Sequence, residues 1–295
     1  MSATAKGAAW LAATRPRTLV ASLSPVAIGV GLAYRDVGEV SEVLVGLCLA
    51  FAVFMQVGAN FANDYYDYAK GADDDRQLGP ARAVASGIIS SRTMRVASYL
   101  TLAFGFALGL LLMKLSGTGW PLLVVGVSSI VCALSYTAGP FPFAYIGLGD
   151  LFVVLFFGFV ATGVTHYVLV TQVGGEWTPA WWVGLAVGLV INNLLIVNNH
   201  RDAEEDTACG KRTLVVRFGR RFGLGLYLCG SCMALVVCPW REPSLTWTVW
   251  LLPVALFLSL RLHQAKSRGD YAFLFAGSAF LVLLHGILAV AGLLH

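Results

Sequence analysis

Nine apolar stretches recur along this 295-residue chain, at about 18–34, 41–62, 95–113, 120–137, 148–170, 181–199, 222–239, 246–262 and 271–294. Each is close to the length a helix needs to cross about 30 Å of hydrocarbon. The first and eighth are the shortest. Backbone polar groups in lipid must be satisfied internally, so unbroken runs of this kind fold as helices. Charged residues make up 12% of the chain, about half the share in a soluble domain, and the mean hydropathy is +0.75. The expected fold is an all-α membrane protein of nine transmembrane helices, one polytopic domain over residues 1–295. Its outer surface faces the lipid bilayer, and residues 1–17 form a short lead-in.

Basic residues set the expected orientation. With the N-terminus inside, all but Arg35, Lys114 and Arg241 of the 20 Lys and Arg residues fall on the inner side, as the positive-inside rule requires. The net charge of +4 is therefore a topology signal and not a nucleic-acid footprint. The N-terminus is expected in the cytoplasm and the chain in the inner (cytoplasmic) membrane. The first apolar run reads as a span and not a cleaved signal peptide, since eight more follow. Six cysteines do not form a disulfide framework; five lie in or at the ends of spans, and Cys209 lies in a reducing cytoplasmic loop. Cys229 and Cys232 have CxxC spacing with no partner pair.

Two polar stretches interrupt this apolar background at the inner ends of the second and sixth spans. The first, NFANDYYDYAKGADDDRQLGPARAVASG, covers residues 60–87; the second, NNHRDAEEDTACGKRTLVVRFG, covers 198–219. Helical steps of four and three bring Asn60, Asp64 and Asp67 onto one face, with Asn63 beside them. Asn198, Asp202 and Asp206 are spaced by four. Oxygen side chains stacked at the end of a buried helix repel one another unless a cation lies between them. Such hard ligands suit Mg²⁺, which keeps several waters and bridges to substrate phosphates. Lys70 and Arg82 beside the first set, and Arg201 and Lys211 beside the second, could bind remaining phosphate oxygens. A site of this kind makes diphosphate a better leaving group. A diphosphate substrate within a membrane is most simply an isoprenoid diphosphate, its tail among the helices.

Other polar groups have two readings each. Asp73, Asp74 and Asp75 are either a solvated run or contain a metal ligand. Tyr65, Tyr66 and Tyr68 form an interfacial belt or place one ring against an allylic cation. Arg15 and Arg17 mark the inner boundary or hold an anionic substrate. Asp150 caps a helix or touches substrate, Glu204 and Glu205 are solvated, and His166 sits at the membrane interface. The even spacing of the two acidic stretches, four helices apart, hints at two similar halves.

The motifs NDxxD at Asn63, Asp64 and Asp67 and DxxxD at Asp202 and Asp206 resemble the paired motifs of the UbiA superfamily of intramembrane prenyltransferases. NDYYDYAKGADDD, Gly79-Pro80, YIGLGD at 145–150, NNHRD at 198–202 and GKRTLVVRFG at 210–219 are similar to the branch acting on 1,4-dihydroxy-2-naphthoate in menaquinone biosynthesis. The likeness runs from RPRT near the N-terminus to about Gly219; the last three spans match only in hydropathy. It implies nine helices around a central cavity, with the two motifs under cytoplasmic cap loops. It implies Mg²⁺-dependent ionisation of a polyprenyl diphosphate and attack by the aromatic ring, with loss of CO2 to give demethylmenaquinone. Matched by position, Asn60, Asp64, Asp67, Asp202 and Asp206 would bind metal, and the four aspartates would be catalytic. The broader family often has a carboxylate where this chain has Gly71, which passes that role to Asp73. The same chemistry on 4-hydroxybenzoate or a quinolone is the alternative acceptor reading. A secondary transporter is the alternative class, although its carboxylates would lie near the bilayer midplane.

Overall fold

The computed structural model of the chain describes residues 3–72 and 78–295, and every regular element among them is a helix. A short helix α1 (Ala3–Thr14) leads through a 3-10 turn at Pro16–Thr18 into α2 (Leu19–Val37). Then come α3 (Glu42–Ala69), α4 (Ser91–Ser116) and α5 (Trp120–Ser135). Next are α6 (Gly149–Gln172) and α7 (Trp181–Arg201). Two short helices, α8 (Ala203–Ala208) and α9 (Leu214–Phe218), connect to the last three. These are α10 (Arg220–Arg241), α11 (Pro243–Gln264) and α12 (Arg268–Leu293).

Taking Thr4–Val37 as one unit, eight helices among the described residues are long and apolar enough to cross a membrane. The chain is a multi-pass membrane protein. The fourth expected span is the exception: α5 has only 16 residues and is about 24 Å long. Helix ends follow local chemistry. Ser41 and Ser90 accept from Leu44 and Thr93 backbone N–H groups at the starts of α3 and α4, satisfying donors the helix itself leaves open. Gly38 and Gly117 close α2 and α4 in left-handed conformations.

Helices α6 and α7 approach through small residues, as lipid-embedded helices do where backbones meet. A Cβ on Gly188 would stand 2.7 Å from the Val154 carbonyl oxygen, too close to form. The facing stretch of α6, Val154–Ala161, is π-helical. Three apolar clusters hold the bundle. One joins α2 with α7, α10, α11 and α12. A second binds α2 to α6 around Leu44, Leu112, Leu122 and Leu169. The third packs α1, α3 and α4 against Ala83, Val84 and Ile89. A cavity of about 820 Å³ remains among α2–α7 and α12.

His166 departs from the expected interfacial placement. It is fully buried, and its Nε2 lies 2.8 Å from Asp36 Oδ2. Asp36 is paired to Arg35 at 2.8 Å, and Arg35 to Glu242 at 3.4 Å. This chain of charges joins α2, α6 and the start of α11 at the end of the bundle opposite the acidic stretches.

Candidate active site

Helices α3 and α7 end on the same side of the cavity and present their polar ends to it. From α3, Asn60, Asn63 and Asp67 line the wall; from α7 and just beyond it come Asn198, Arg201 and Asp202. Arg82 and Lys211 complete the polar end. Steps of three and four therefore select the row 60–63–67 instead of 60–64–67; both are helical neighbours, so spacing alone does not separate them.

Asp67 is 6% exposed. Its Oδ1 accepts from the Tyr145 hydroxyl at 3.0 Å, and its Oδ2 lies 3.7 Å from an Arg82 guanidinium nitrogen. Asn63 accepts from the Thr137 hydroxyl at 3.0 Å. Asp64 is not on the cavity wall. Its two oxygens accept from the backbone N–H groups of Ala83 at 3.3 Å and Val84 at 3.4 Å, fastening the turn at 83–84 to α3. Asn60 lines the cavity, but its amide nitrogen donates to the Thr14 carbonyl at 3.0 Å and the Thr18 hydroxyl at 3.3 Å.

At the second stretch, α7 stops at Arg201, and Asp202 ends it with its N–H on the Asn198 carbonyl. Arg201 donates two hydrogen bonds to Asp202, at 2.5 and 2.8 Å, the fork geometry that favours Arg for carboxylates. The chain restarts as α8, which carries Asp206. Its Oδ1 lies 3.1 Å from Lys211 Nζ, while its Oδ2 is buried with no hydrogen-bond partner. Burial, with the nearby Asp202 charge, pushes the Asp206 carboxyl up to about 6 against the pull of Lys211. Burial alone would lower Lys211; Asp206 and Asp67 outweigh it and hold the ammonium above its ordinary value. That Asp67 acts on both groups shows that the two stretches share one electrostatic site.

Tyr145 joins them. Its ring lies under the Lys70 ammonium at 4.3 Å and the Lys211 ammonium at 5.7 Å, and burial beside Asp67 raises its hydroxyl well above the phenolic range. The loop that carries it is tied down by Arg212 N–H on the Tyr145 carbonyl and by Arg217 on the Ile146 carbonyl, both at 2.9 Å. Gly147 turns there with φ 79°. A Cβ on it would meet the Arg212 carbonyl at 3.0 Å.

Several expectations resolve differently. Lys70 does not line the cavity; it donates to the Thr137 carbonyl at 2.7 Å and supports the Tyr145 loop. Asp73, with Asp74 and Asp75, lies outside the described residues. Tyr65 and Tyr66 stack edge-on, and Tyr66 bonds Tyr99 at 2.7 Å; neither lines the cavity. Asp150 accepts from Asn192 at 3.1 Å and makes no side-chain cap. Glu204 is 84% exposed and pairs with Arg220, whereas Glu205 is half-buried and meets Leu78 N–H at 3.5 Å. Arg15 and Arg17 both line the cavity. Arg15, with φ 51°, is the single non-glycine left-handed residue among those described. Its carbonyl, which accepts from Thr18 N–H and Oγ1 at 2.8 and 2.9 Å, holds that turn. Tyr136 and Thr137 line the cavity with no motif to mark them, and Tyr145 stands at the head of the YIGLGD motif without a role evident from its spacing. The Pro- and Gly-rich stretch 135–150 carries all three.

Among the described residues, no three His, Cys, Asp or Glu side chains gather closely enough to enclose a metal. Mg²⁺ is ordinarily held by one or two carboxylates plus substrate phosphates, and Asp67 and Asp202 stand on the cavity wall; Asp206 is not on the wall, and its unpartnered oxygen, beside Lys211, is a further hard donor. The donor set fits a divalent cation that is completed by a ligand.

The chain is similar to known proteins over most of its length. A 1,4-dihydroxy-2-naphthoate octaprenyltransferase of Haemophilus influenzae is 30% identical over 97% of this chain and 95% of its own. One from Mycobacterium tuberculosis is 40% identical over 72% of this chain and 70% of its own. A UbiA homolog from Archaeoglobus fulgidus, solved with GPP and Mg²⁺, superposes with a TM-score of 0.64 at 17% identity. The match covers 96% of this chain and 99% of that one. The UbiA prenyltransferase family pattern extends over residues 22–284, from the second helix to the last, and the chain belongs to that family.

Proposed function

We propose that this protein transfers a polyprenyl group from polyprenyl diphosphate to 1,4-dihydroxy-2-naphthoate. The observation that carries the reading is a continuous cavity that joins an end lined by acidic and basic groups to an apolar bore. Two relatives named for this acceptor, alike over most of their length, favour it over 4-hydroxybenzoate or a quinolone.

In this reading Asp67, Asp202 and Asp206, with Asn63 and Asn198, hold a divalent cation, Mg²⁺ in the first instance. Arg82, Arg201 and Lys211 take the remaining phosphate oxygens of the donor. The bound cation supplies positive charge where negative charge develops on the departing diphosphate. The allylic C–O bond breaks with its electron pair leaving on diphosphate. Phe152, stacked on Phe143 at 3.9 Å and on Phe156 at 6.0 Å, and Tyr136 present fixed aromatic faces beside the allylic carbon. A ring electron pair forms the new C–C bond. The electrons of the bond to the carboxylate return to the ring as CO2 leaves, giving the quinol form of demethylmenaquinone. Asp64 and Asn60 act as positioning residues; they tie the 83–84 turn and the α1–α2 corner to the acidic end of α3. Lys70 does the same for the Tyr145 loop. The acidic end faces the cytoplasm, and the chain is one domain in the inner membrane.

The test is an assay of purified protein in lipid nanodiscs with a panel of aromatic acceptors and prenyl diphosphates, read by mass spectrometry of the lipid product. Prenylated, decarboxylated naphthoate should form with Mg²⁺ and cease on EDTA addition. Turnover that persists in EDTA, or a different preferred acceptor, sinks the assignment.

A further inference from the structure

Behind the wall of the main cavity lies a second and much smaller one, of about 10 Å³, room for one water molecule. Tyr136, Ala144 and Asn199 line both cavities and so form the partition between them. On the far side stand Gly149, Asp150 and Thr213. Four of these six side chains are polar, which gives a buried water the partners it needs.

Asp150 is 8% exposed. Its Oδ1 accepts from the Asn192 amide at 3.1 Å, and among the described residues no basic side chain pairs with it. Removing a carboxylate from water in this way is costly without a cation, and Asp150 does not recover that cost as a helix cap. The other carboxylates at this end are committed. Asp67 is held by Arg82, Asp202 by Arg201 and Asp206 by Lys211, while Asp64 takes two backbone N–H groups. The Thr213 hydroxyl accepts from the Val216 N–H at 3.2 Å and keeps its own proton to donate. The Tyr136 hydroxyl stands against Gly149, where a Cβ would meet it at 3.1 Å. The missing side chain thus keeps open the space beside the phenol.

We propose that Asp150 stores the acceptor's hydroxyl proton during prenyl transfer, reached from the main cavity through Tyr136 and one water in the small chamber. The assignment rests on the prenyl-transfer reading above. A naphthol ring is a better nucleophile once its hydroxyl proton is gone. The acceptor hydroxyl gives its proton to the Tyr136 oxygen, as the Tyr136 proton passes to the water and a water proton to Asp150. The oxygen electron pair enters the ring, which forms the C–C bond to the allylic carbon. When CO2 leaves, the electrons of its bond restore the ring and return the charge to oxygen. The proton then comes back along the same path to give the quinol hydroxyl. Asp150 ends as it began, and no net proton is taken up or released.

The test is steady-state kinetics in nanodiscs at saturating Mg²⁺, with geranyl diphosphate and 1,4-dihydroxy-2-naphthoate. Asp150→Asn keeps the shape of the side chain. It should lower kcat about 100-fold, the scale of lost acid–base help, with KM for donor and acceptor little changed. Gly149→Ala fills the chamber and leaves both ends of the path in place, and should lower kcat about tenfold. Added to Asp150→Asn it should cost no more than about twofold, because the path is already cut. Acceptor acidity supplies a readout that a structural role would not move. A ring-fluorinated naphthoate, whose hydroxyl ionises more readily, should narrow the gap between wild type and Asp150→Asn about tenfold. A kcat in Asp150→Asn close to that of wild type, or a gap of equal size with both acceptors, overturns the proposal. If thermal unfolding shows that Asp150→Asn does not fold, Gly149→Ala is held to the same two criteria. Wild-type protein that forms no prenylated naphthoate overturns the prenyl-transfer reading itself, and the proposal with it.

Discussion

At the end of α3 the acidic side chains are met by groups from distant parts of the chain. Tyr145 and Arg82 reach Asp67, and the Ala83 and Val84 backbone reaches Asp64. At the end of α7 the partners are neighbours in sequence, Arg201 on Asp202 and Lys211 on Asp206. These two carboxylates are thus met from within their own stretch, while Lys211, Arg212 and Arg217 carry that stretch onto the 145–146 loop. The first stretch is complete only when the 78–90 segment and the 136–148 loop are both in place. Two motifs of similar composition are held in different ways, and substitutions should separate them.

The largest effect should come from Asp67→Ala and Asp202→Ala. If both carboxylates hold the same cation, each lowers kcat/KM roughly 10²–10³-fold, about 3–4 kcal/mol in the transition state. A loss in only one of them breaks the symmetry of the two halves. Next is pH. Asp206 is raised to about 6 from 3.8, so below about 6 it carries a proton that a cation must displace. Metal affinity, read as the Mg²⁺ concentration for half-maximal rate, should then fall about tenfold per pH unit. Stability of the metal-free protein moves the other way. Asp206 favours the folded state most below the unfolded value of 3.8, and that contribution is lost as pH rises through about 6. Lys211→Met removes the pull that keeps Asp206 from rising further, and should shift the activity limb to higher pH.

Asp64→Asn should cost less than tenfold in kcat at saturating Mg²⁺, but about 2 kcal/mol of stability, through loss of charge-assisted bonds to Ala83 and Val84. Thermal unfolding and kinetics on the same preparation check this. A rate loss as deep as that of Asp67→Asn would return Asp64 to the ligand set. The smallest effect is expected of Tyr145→Phe. It removes one hydrogen bond to Asp67, about 1 kcal/mol or about fivefold in kcat/KM, and leaves the ring beneath the two lysines.

The apolar runs made the helical membrane fold legible, because crossing hydrocarbon leaves the backbone little choice. Spacing and charge likewise pointed to Asp67, Asp202 and Lys211, which line the cavity, and to Asp206, which pairs with Lys211 off the wall. The row on α3 was not legible, because Asp64 and Asn63 are adjacent and either lies a helical step from both Asn60 and Asp67. Which one faces the cavity depends on where the 83–84 turn packs, a contact made across 19 residues. Tyr145 was hidden for the same reason: nothing local distinguishes its hydroxyl until the loop is pinned by Arg212 and Arg217. His166 reads as an interfacial residue until Asp36, 130 positions away, is brought against it.

The brevity of α5 carries a consequence for the surrounding lipid. A helix of 16 residues falls several Å short of the hydrocarbon thickness, so on that flank acyl chains must shorten or headgroups must sink to meet it. The bundle is thinnest along that one flank, and thick membranes should be dimpled there more deeply than thin ones.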